Sequence, residues 1–223
     1  MTFDSSDFPD LPITWANSSV EDTSEIVSFM NKVPTSKYKS TGKLPVVDQS
    51  ISFIGGYIDD PELAVTNNLP VIIFGDPTRV IKFINFPFAA GADGIKVLKP
   101  KEYFNPKLYY YFLQAIKLPN KGYARHFQYL RSSIIPIPPF NEQKRIADKL
   151  DTLLAQVDAC REHLERVPGI LKRFRQAVLA AAVTGRLTEE WRKEHNIDRY
   201  GWKSSRLGDL VLESANGFSK RRN

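Results

Sequence analysis

The stretch "PIPPFNEQKRIADKL", residues 136–150, holds the first residues on which chemistry could be built. Pro138-Pro139-Phe140 matches the end of the tetrapeptide with which a base-amino methyltransferase grips its target base. That use needs a polar acceptor ahead of the two prolines to receive the exocyclic amino group, and Ile137 carries none. A methyl-donor cofactor would also need a glycine-rich turn from strand into helix, whereas Gly55-Gly56 in "FIGGYID" runs on into another extended segment. Methyl transfer by this chain is therefore not expected. "DDPELAV", residues 59–65, offers carboxylates without the lysine that would complete a metal-nuclease triplet. Three scattered histidines suggest no zinc site, and a P-loop is absent. The chain is expected to have no active site, no metal and no cofactor.

Charge points to a binding role. The chain has 223 residues, 42% hydrophobic and 12% aromatic, enough for a sizeable core in one or two modules. Residues 1–30 contain six acids and no base, whereas residues 31–140 contain 14 Lys and Arg against seven Asp and Glu. Residues 141–186 have nine basic against six acidic side chains, so the positive field sits mainly on the middle module. With a pI near 9.3, nucleic acid is the obvious polyanion, and a solubilising surface is the plain alternative. The single cysteine, Cys160, excludes an intrachain disulfide. The opening "MTFDSSDFPD" has neither a basic nor an apolar signal region, and no apolar run approaches the roughly 20 residues that span a bilayer. A cytoplasmic, non-membrane protein is expected.

The elements that must position any binding residues divide at the prolines. Residues 1–140 read as mixed, strand-rich structure. "LPVIIFGDPTRVIKFINF" predicts a hairpin with strands at 70–74 and 79–84, joined through Gly75, Asp76, Pro77 and Thr78. One helix is expected after Asn105 as cap, with Pro106 in its first position and Leu108, Tyr111, Phe112 and Ala115 on one face. Pro136, Pro138 and Pro139 then stop regular structure. Beyond them Ile146, Leu150, Leu153, Val157, Cys160, Leu164, Val167, Leu171, Phe174, Val178 and Ala181 recur in alternating steps of four and three, the seam of a coiled coil. Asn141 is the expected N-cap, and Glu142 complements the positive end of the helix dipole. Pro168-Gly169 either kinks this rod or turns it into a hairpin. The heptad phase survives the proline, which favours the kinked rod.

A short internal repeat follows. Trp15, four residues, then Val20-Glu21-Asp22 near the start is matched by Trp202, four residues, then Leu207-Gly208-Asp209 near the end. Together with "VIIFGDPTRVIKF", "PFAAGADGIKVLKP", "GYARHFQYLRSSIIPIPPFNEQKRIADKLDTLL" and "RVPGILKRFRQAVLAAAVTGRLTEEWR", the chain resembles the specificity subunit of type I restriction-modification systems over nearly its whole length. Pro136 to Arg192 resembles that family's spacer region, and the part before it a target recognition domain. The resemblance implies a subunit that reads a bipartite double-stranded DNA target and docks modification (methyltransferase) and restriction subunits, which do the chemistry. A full subunit of the family has two recognition domains and two spacers, so this chain resembles a half-subunit. The implied class is α+β: a recognition domain at 1–140, a dimerising spacer helix at 141–187, and a linker with the start of a second domain at 188–223.

A lone seam of five heptads needs a second helix, and the simplest source is another copy of the chain. We expect an antiparallel homodimer through the eleven seam residues, each meeting a residue whose number makes a sum near 327, with two recognition domains reading an inverted repeat. Three stretches are candidates for DNA contact. The first is "KVPTSKYKSTGK", a mobile loop offering Lys37 and Lys39, followed by Gln49 and Ser50 at a strand edge. The second is Arg79 at the end of the hairpin turn, with Lys82 three residues on. The third is "NKGYARHFQYLR", with Lys121, Tyr123, Arg125, His126 and Arg131; its Phe127 and Tyr129 are assigned to the core. Each has a plain counterpart in a solvated lysine loop, a salt-bridged arginine or packed aromatics. Arg161, Arg166, Lys172, Arg173 and Arg175 on the outer side of the spacer offer a docking face for the methyltransferase, or a merely solvated one. Two rival classes are a stand-alone DNA-binding regulator and a coiled-coil assembly scaffold.

Overall fold

The computed structural model describes residues 11–28, 31–91, 94–122, 124–197 and 205–213. They form a strand-rich α+β module continuing into a long helix. The elements are β1 (Ala16–Ser19), α1 (Val20–Thr23), β2 (Ser24–Val27), β3 (Leu44–Val47), β4 (Gly56–Ile58), β5 (Ala64–Val65), β6 (Val71–Gly75), β7 (Ile81–Ile84), β8 (Phe88–Ala90), β9 (Ile95–Pro100), α2 (Pro106–Ala115), α3 (Phe127–Ser132), β10 (Ile134–Ile137), α4 (Phe140–Val183), α5 (Glu189–Glu194) and α6 (Leu207–Leu210).

Two four-stranded sheets, β2-β9-β6-β7 and β4-β3-β8-β5, carry the module, and β1 pairs with β10 in a two-stranded ribbon. The expected hairpin is β6-β7, antiparallel with Val71 opposite Ile84 and Phe74 opposite Ile81. Strand β6, "VIIFG", is apolar on both sides because both faces are covered, and its side chains alternate between two cores. Ile72 and Phe74 join Leu98, Phe104, Leu108, Tyr109 and Leu113 beneath the helices. Val71 and Ile73 join Val47, Ile84, Phe88 and Val97 in the other cluster. A third cluster, Val33, Leu44, Val46, Ile58 and Ala89, is closed by half-buried Tyr38.

Helix α2 begins as expected: the Asn105 Oδ1 accepts from the N–H groups of Lys107 and Leu108, both at 3.0 Å. Its buried residues are Leu108, Tyr109 and Leu113, so the inward face is rotated from the expected one; Tyr111 and Phe112 are half-buried and Ala115 is exposed. Pro138 and Pro139 stand outside any element, between β10 and α4, but Pro136 does not end regular structure. Pro136 lies within β10, opposite Asn17 on the edge of a two-stranded ribbon, where a missing N–H is tolerated.

Helix α4 starts at Phe140, one residue before the expected cap, so Asn141 lies inside its first turn. Glu142 is in that turn and accepts the indole N–H of Trp15 at 3.0 Å. Gln143, 1% exposed, makes a clamp that sequence reasoning missed. Its Oε1 accepts from the Asn105 N–H at 2.6 Å, and its Nε2 donates to the carbonyls of Pro138 at 2.9 Å and Tyr103 at 3.1 Å. The helix then runs unbroken through Pro168 to Val183, which excludes the hairpin.

The chain forms two compact units, the first ending at Gln156 and the second starting at Val157. In the second, Gly185 takes the left-handed conformation, φ 73°, that ends α4. The Arg192 guanidinium, buried itself, donates to the Gly185 carbonyl and to the Thr188 hydroxyl. Of the internal repeat, Val20–Thr23 and Leu207–Leu210 both form single helical turns, while Trp202 lies outside the described residues. Among the described residues no helix is long and apolar enough to cross a membrane.

Candidate nucleic-acid interface

A polar groove of about 530 Å³ opens on the module, lined by Lys32, Gln49, Asp76, Gly94, Lys96 and Arg125 with their neighbours. Five separate stretches of the chain meet there: the segment before β3 with Lys32, the loop after β3 with Gln49, the hairpin turn after β6, the start of β9, and the segment leading into α3. Asp76 joins the last three. Its N–H donates to the Gly94 carbonyl at 2.6 Å, and its Oδ1 accepts from the N–H groups of His126 at 2.7 Å and Phe127 at 2.6 Å. The carboxylate is buried and caps the N-terminus of α3 from across the fold. Glycine is favoured at position 94 because φ is 91°, a conformation that L side chains rarely adopt.

The predicted contact residues divide on this geometry. Arg125 is exposed on the groove, and Gln49 lines it half-buried. Arg79, half-buried, is held at φ 61° with its N–H donating to the Gly75 carbonyl at 2.7 Å. A left-handed conformation at a non-glycine residue costs about 1 kcal/mol, and such strain concentrates at functional sites. Lys37 is exposed at the end of a 3-10 turn. Lys39 is exposed but paired with Asp59 at 2.7 Å, and that lysine holds the Asp59 carboxyl below its usual range. The segment carrying both is pinned by backbone bridges from Val33 to Gly91 and from Lys39 to Tyr57, and is not the free loop expected. Lys121 is exposed, with its ammonium 5.1 Å from the Tyr129 ring centroid, and it lowers the pKa of that phenol. Arg131 is exposed, with its Nε 2.8 Å from the Glu21 carboxylate. Tyr123 lies outside the described residues.

Two of the predicted contacts are corrected. His126 is fully buried, its backbone and Nδ1 both held by Asp76, so it organises the groove wall from behind and cannot reach a ligand. Lys82 is 3% exposed. Its ammonium donates to the carbonyls of Asp48 at 2.8 Å and Ser52 at 2.6 Å, and burial lowers its pKa, partly opposed by the nearby Asp48 carboxylate. Strand alternation aims Lys82 into the same core as Ile84, so it clamps a loop where a phosphate ligand was expected. Ser50 belongs to that loop, with both its N–H and its hydroxyl donating to the Asp48 Oδ1.

Lys32 and Lys96 were missed. The strand carries no local signal for Lys96: in "IKVLKP" its face-mate two residues on, Leu98, is buried in the first core, so alternation alone does not mark Lys96 as open. Lys32, Lys96 and Arg125 make no ion pair among the described residues, and Asp76, the nearby acid, has its Oδ1 occupied by two N–H groups. The groove therefore presents net positive charge on a rigid frame, which suits phosphate neutralisation beside base contacts. Among the described residues no group of His, Cys, Asp and Glu could hold a metal ion.

The seam of α4 divides in two. Ile146 and Leu150 are half-buried against the first core of their own module. Leu153, Val157, Cys160, Leu164, Val167, Leu171 and Phe174 are exposed, Leu164 at 67%, and Val178 and Ala181 are half-buried.

Residues 12–167 match the family described as "Type I restriction modification DNA specificity domain". The chain is 60% identical over 87 residues to the StySPI specificity subunit of Salmonella potsdam, covering 39% of this chain and 18% of that protein. It is 51% identical over 92 residues to the EcoKI specificity subunit of Escherichia coli strain K12, covering 40% of this chain and 19% of that one. In fold it is similar to the HsdS subunit of Thermoanaerobacter tengcongensis, with a TM-score of 0.53 at 24% identity over 78% of this chain and 46% of that one. The chain thus spans less than half the length of the relatives it matches. It belongs to the family of type I restriction-modification specificity subunits.

Proposed function

We propose that this chain is a DNA-recognition subunit of a type I restriction-modification complex that does no chemistry itself and directs methyltransferase and restriction subunits to a bipartite duplex target in the cytoplasm. The observation that carries the reading is the groove of Lys32, Lys96 and Arg125, cations from three stretches of the chain, two of them joined by Asp76, with Arg79 held in a strained conformation. Cations on such a frame can sit at phosphates while Arg79 and Gln49 offer hydrogen bonds to base edges. The test is fluorescence anisotropy on a duplex selected by the chain from a random library, across a salt series. Arg125→Ala and Lys96→Ala should each lower the slope of log affinity against log salt by about 0.9. Unchanged affinity and slope in both variants would place the DNA surface elsewhere.

One module reads one half-site, and the open seam from Leu153 to Phe174 supports pairing with a second copy. In the antiparallel arrangement the helices act as rulers, each of 44 residues and about 66 Å long. Light scattering should give twice the chain mass at micromolar concentration; a monomer removes the pairing. Co-purification with a methyltransferase subunit separates this reading from a stand-alone regulator.

A further inference from the structure

We infer that Ile51 is a specificity-determining residue that contacts the 5-methyl group of a thymine in the DNA major groove. The inference rests on the recognition function just proposed. Ile51 is 90% exposed and Phe53 51% exposed on the loop after β3, whereas most aliphatic side chains of the module fill three cores, Ile13 and Ile26 being its other exposed isoleucines. Leaving an isoleucine in water forgoes the stabilisation its burial would bring, which suits a side chain covered only in a complex.

The loop that carries it is held rigid. The buried ammonium of Lys82 bonds the carbonyls of Asp48 and Ser52, on either side of Ile51. The Asp48 Oδ1 accepts from the Ser50 N–H at 2.9 Å and its hydroxyl at 2.6 Å, and the Thr78 hydroxyl donates to the Gln49 carbonyl at 2.7 Å. Phe53 packs against Phe86 with centroids 6.0 Å apart. Burying an ammonium to fix a surface loop is costly unless the loop's position matters. Pre-ordering of this kind lowers the entropy lost on binding.

Its place identifies the occupant. Gln49 lines the basic groove, and Ile51 is two residues further on, a reach of at most about 7 Å. The flanking residues are Ser50 and Ser52, and the next apolar side chain, Phe53, is part-exposed and leans on Phe86, so Ile51 is the one exposed aliphatic side chain of the loop. A protein partner would be met by a wider apolar patch. A thymine methyl beside hydrogen-bonding base edges matches a lone aliphatic group, and the cations of Lys32, Lys96 and Arg125 match the phosphates around it.

The experiment uses the full chain and duplexes selected from a random library. Each thymine of the enriched sequence is replaced in turn by deoxyuridine, which removes only the methyl group, and affinity is read by anisotropy. For the wild type, one replacement should weaken binding about fourfold, the worth of one buried methyl. Ile51→Ala should bind the enriched duplex about as weakly as that pair, be insensitive to the same replacement, bind a scrambled duplex normally and melt at the wild-type temperature. If no replacement distinguishes wild type from Ile51→Ala, or if the variant weakens on enriched and scrambled duplexes alike, the inference is overturned and the recognition reading stands. If the wild type enriches no sequence, the recognition reading falls and the inference falls with it.

Discussion

Replacing Gln143 by alanine should destabilise the recognition module more than any surface substitution, although the residue lies on a helix read from sequence as a coiled-coil spacer and is not on its seam. The side chain is 1% exposed and serves three backbone groups: the Asn105 N–H and the carbonyls of Pro138 and Tyr103. Truncation leaves one buried donor without its acceptor, at about 1–3 kcal/mol, and removes one bond from each of two carbonyls that keep a second lone pair. A total near 3 kcal/mol is expected, a large share of the roughly 5–15 kcal/mol that holds a domain together. The melting temperature should fall by about 6–12 °C. Gln143→Glu should be no better, because its second carboxylate oxygen would face the two carbonyls that the amide now bonds as donor. Urea unfolding followed by tryptophan fluorescence, with the slope against denaturant compared between variants, gives the measurement. A loss below about 1 kcal/mol in Gln143→Ala, or a Gln143→Glu variant as stable as wild type, would refute the clamp.

Lys82 links stability to alkaline pH. Its native pKa lies below the unfolded value, so between the two the unfolded chain holds the proton and the native one does not, and stability rises with pH across that window. The rise, measured by urea unfolding between the lowered pKa and about 10.5, should be present in wild type and absent in Lys82→Met. Arg79→Gly should relieve the left-handed backbone, raising stability by up to about 1 kcal/mol in thermal melts while weakening binding to the selected duplex; weakening of both, or of neither, contradicts the role given to Arg79. Phe174→Asp, at an exposed seam position, should halve the mass seen by light scattering and leave the melting of the recognition module within about 0.5 kcal/mol of wild type.

Local chemistry made part of the molecule legible in the sequence. The Asn105-Pro106 start of α2, the Asp76-Pro77-Thr78 turn between β6 and β7, and the long apolar period of α4 depend on neighbours within a few residues, and each stands where its local signals put it. The family was legible for the same reason, since its motifs are runs of adjacent residues. The site divides differently. Lys82 and Lys96 both sit in strands that alternate, and nothing within either strand says which face a second sheet and its loop will cover. Packing put the Lys82 ammonium against carbonyls 34 and 30 residues away and left Lys96 on the groove. His126 was drawn inside by Asp76, 50 residues distant, and Gln143 by Asn105, 38 residues distant. A polar side chain is buried only where its hydrogen-bond partners are supplied, and those partners came from remote segments. The sequence by itself therefore determined the elements and their family, whereas the tertiary structure decided which cations remain open on the groove.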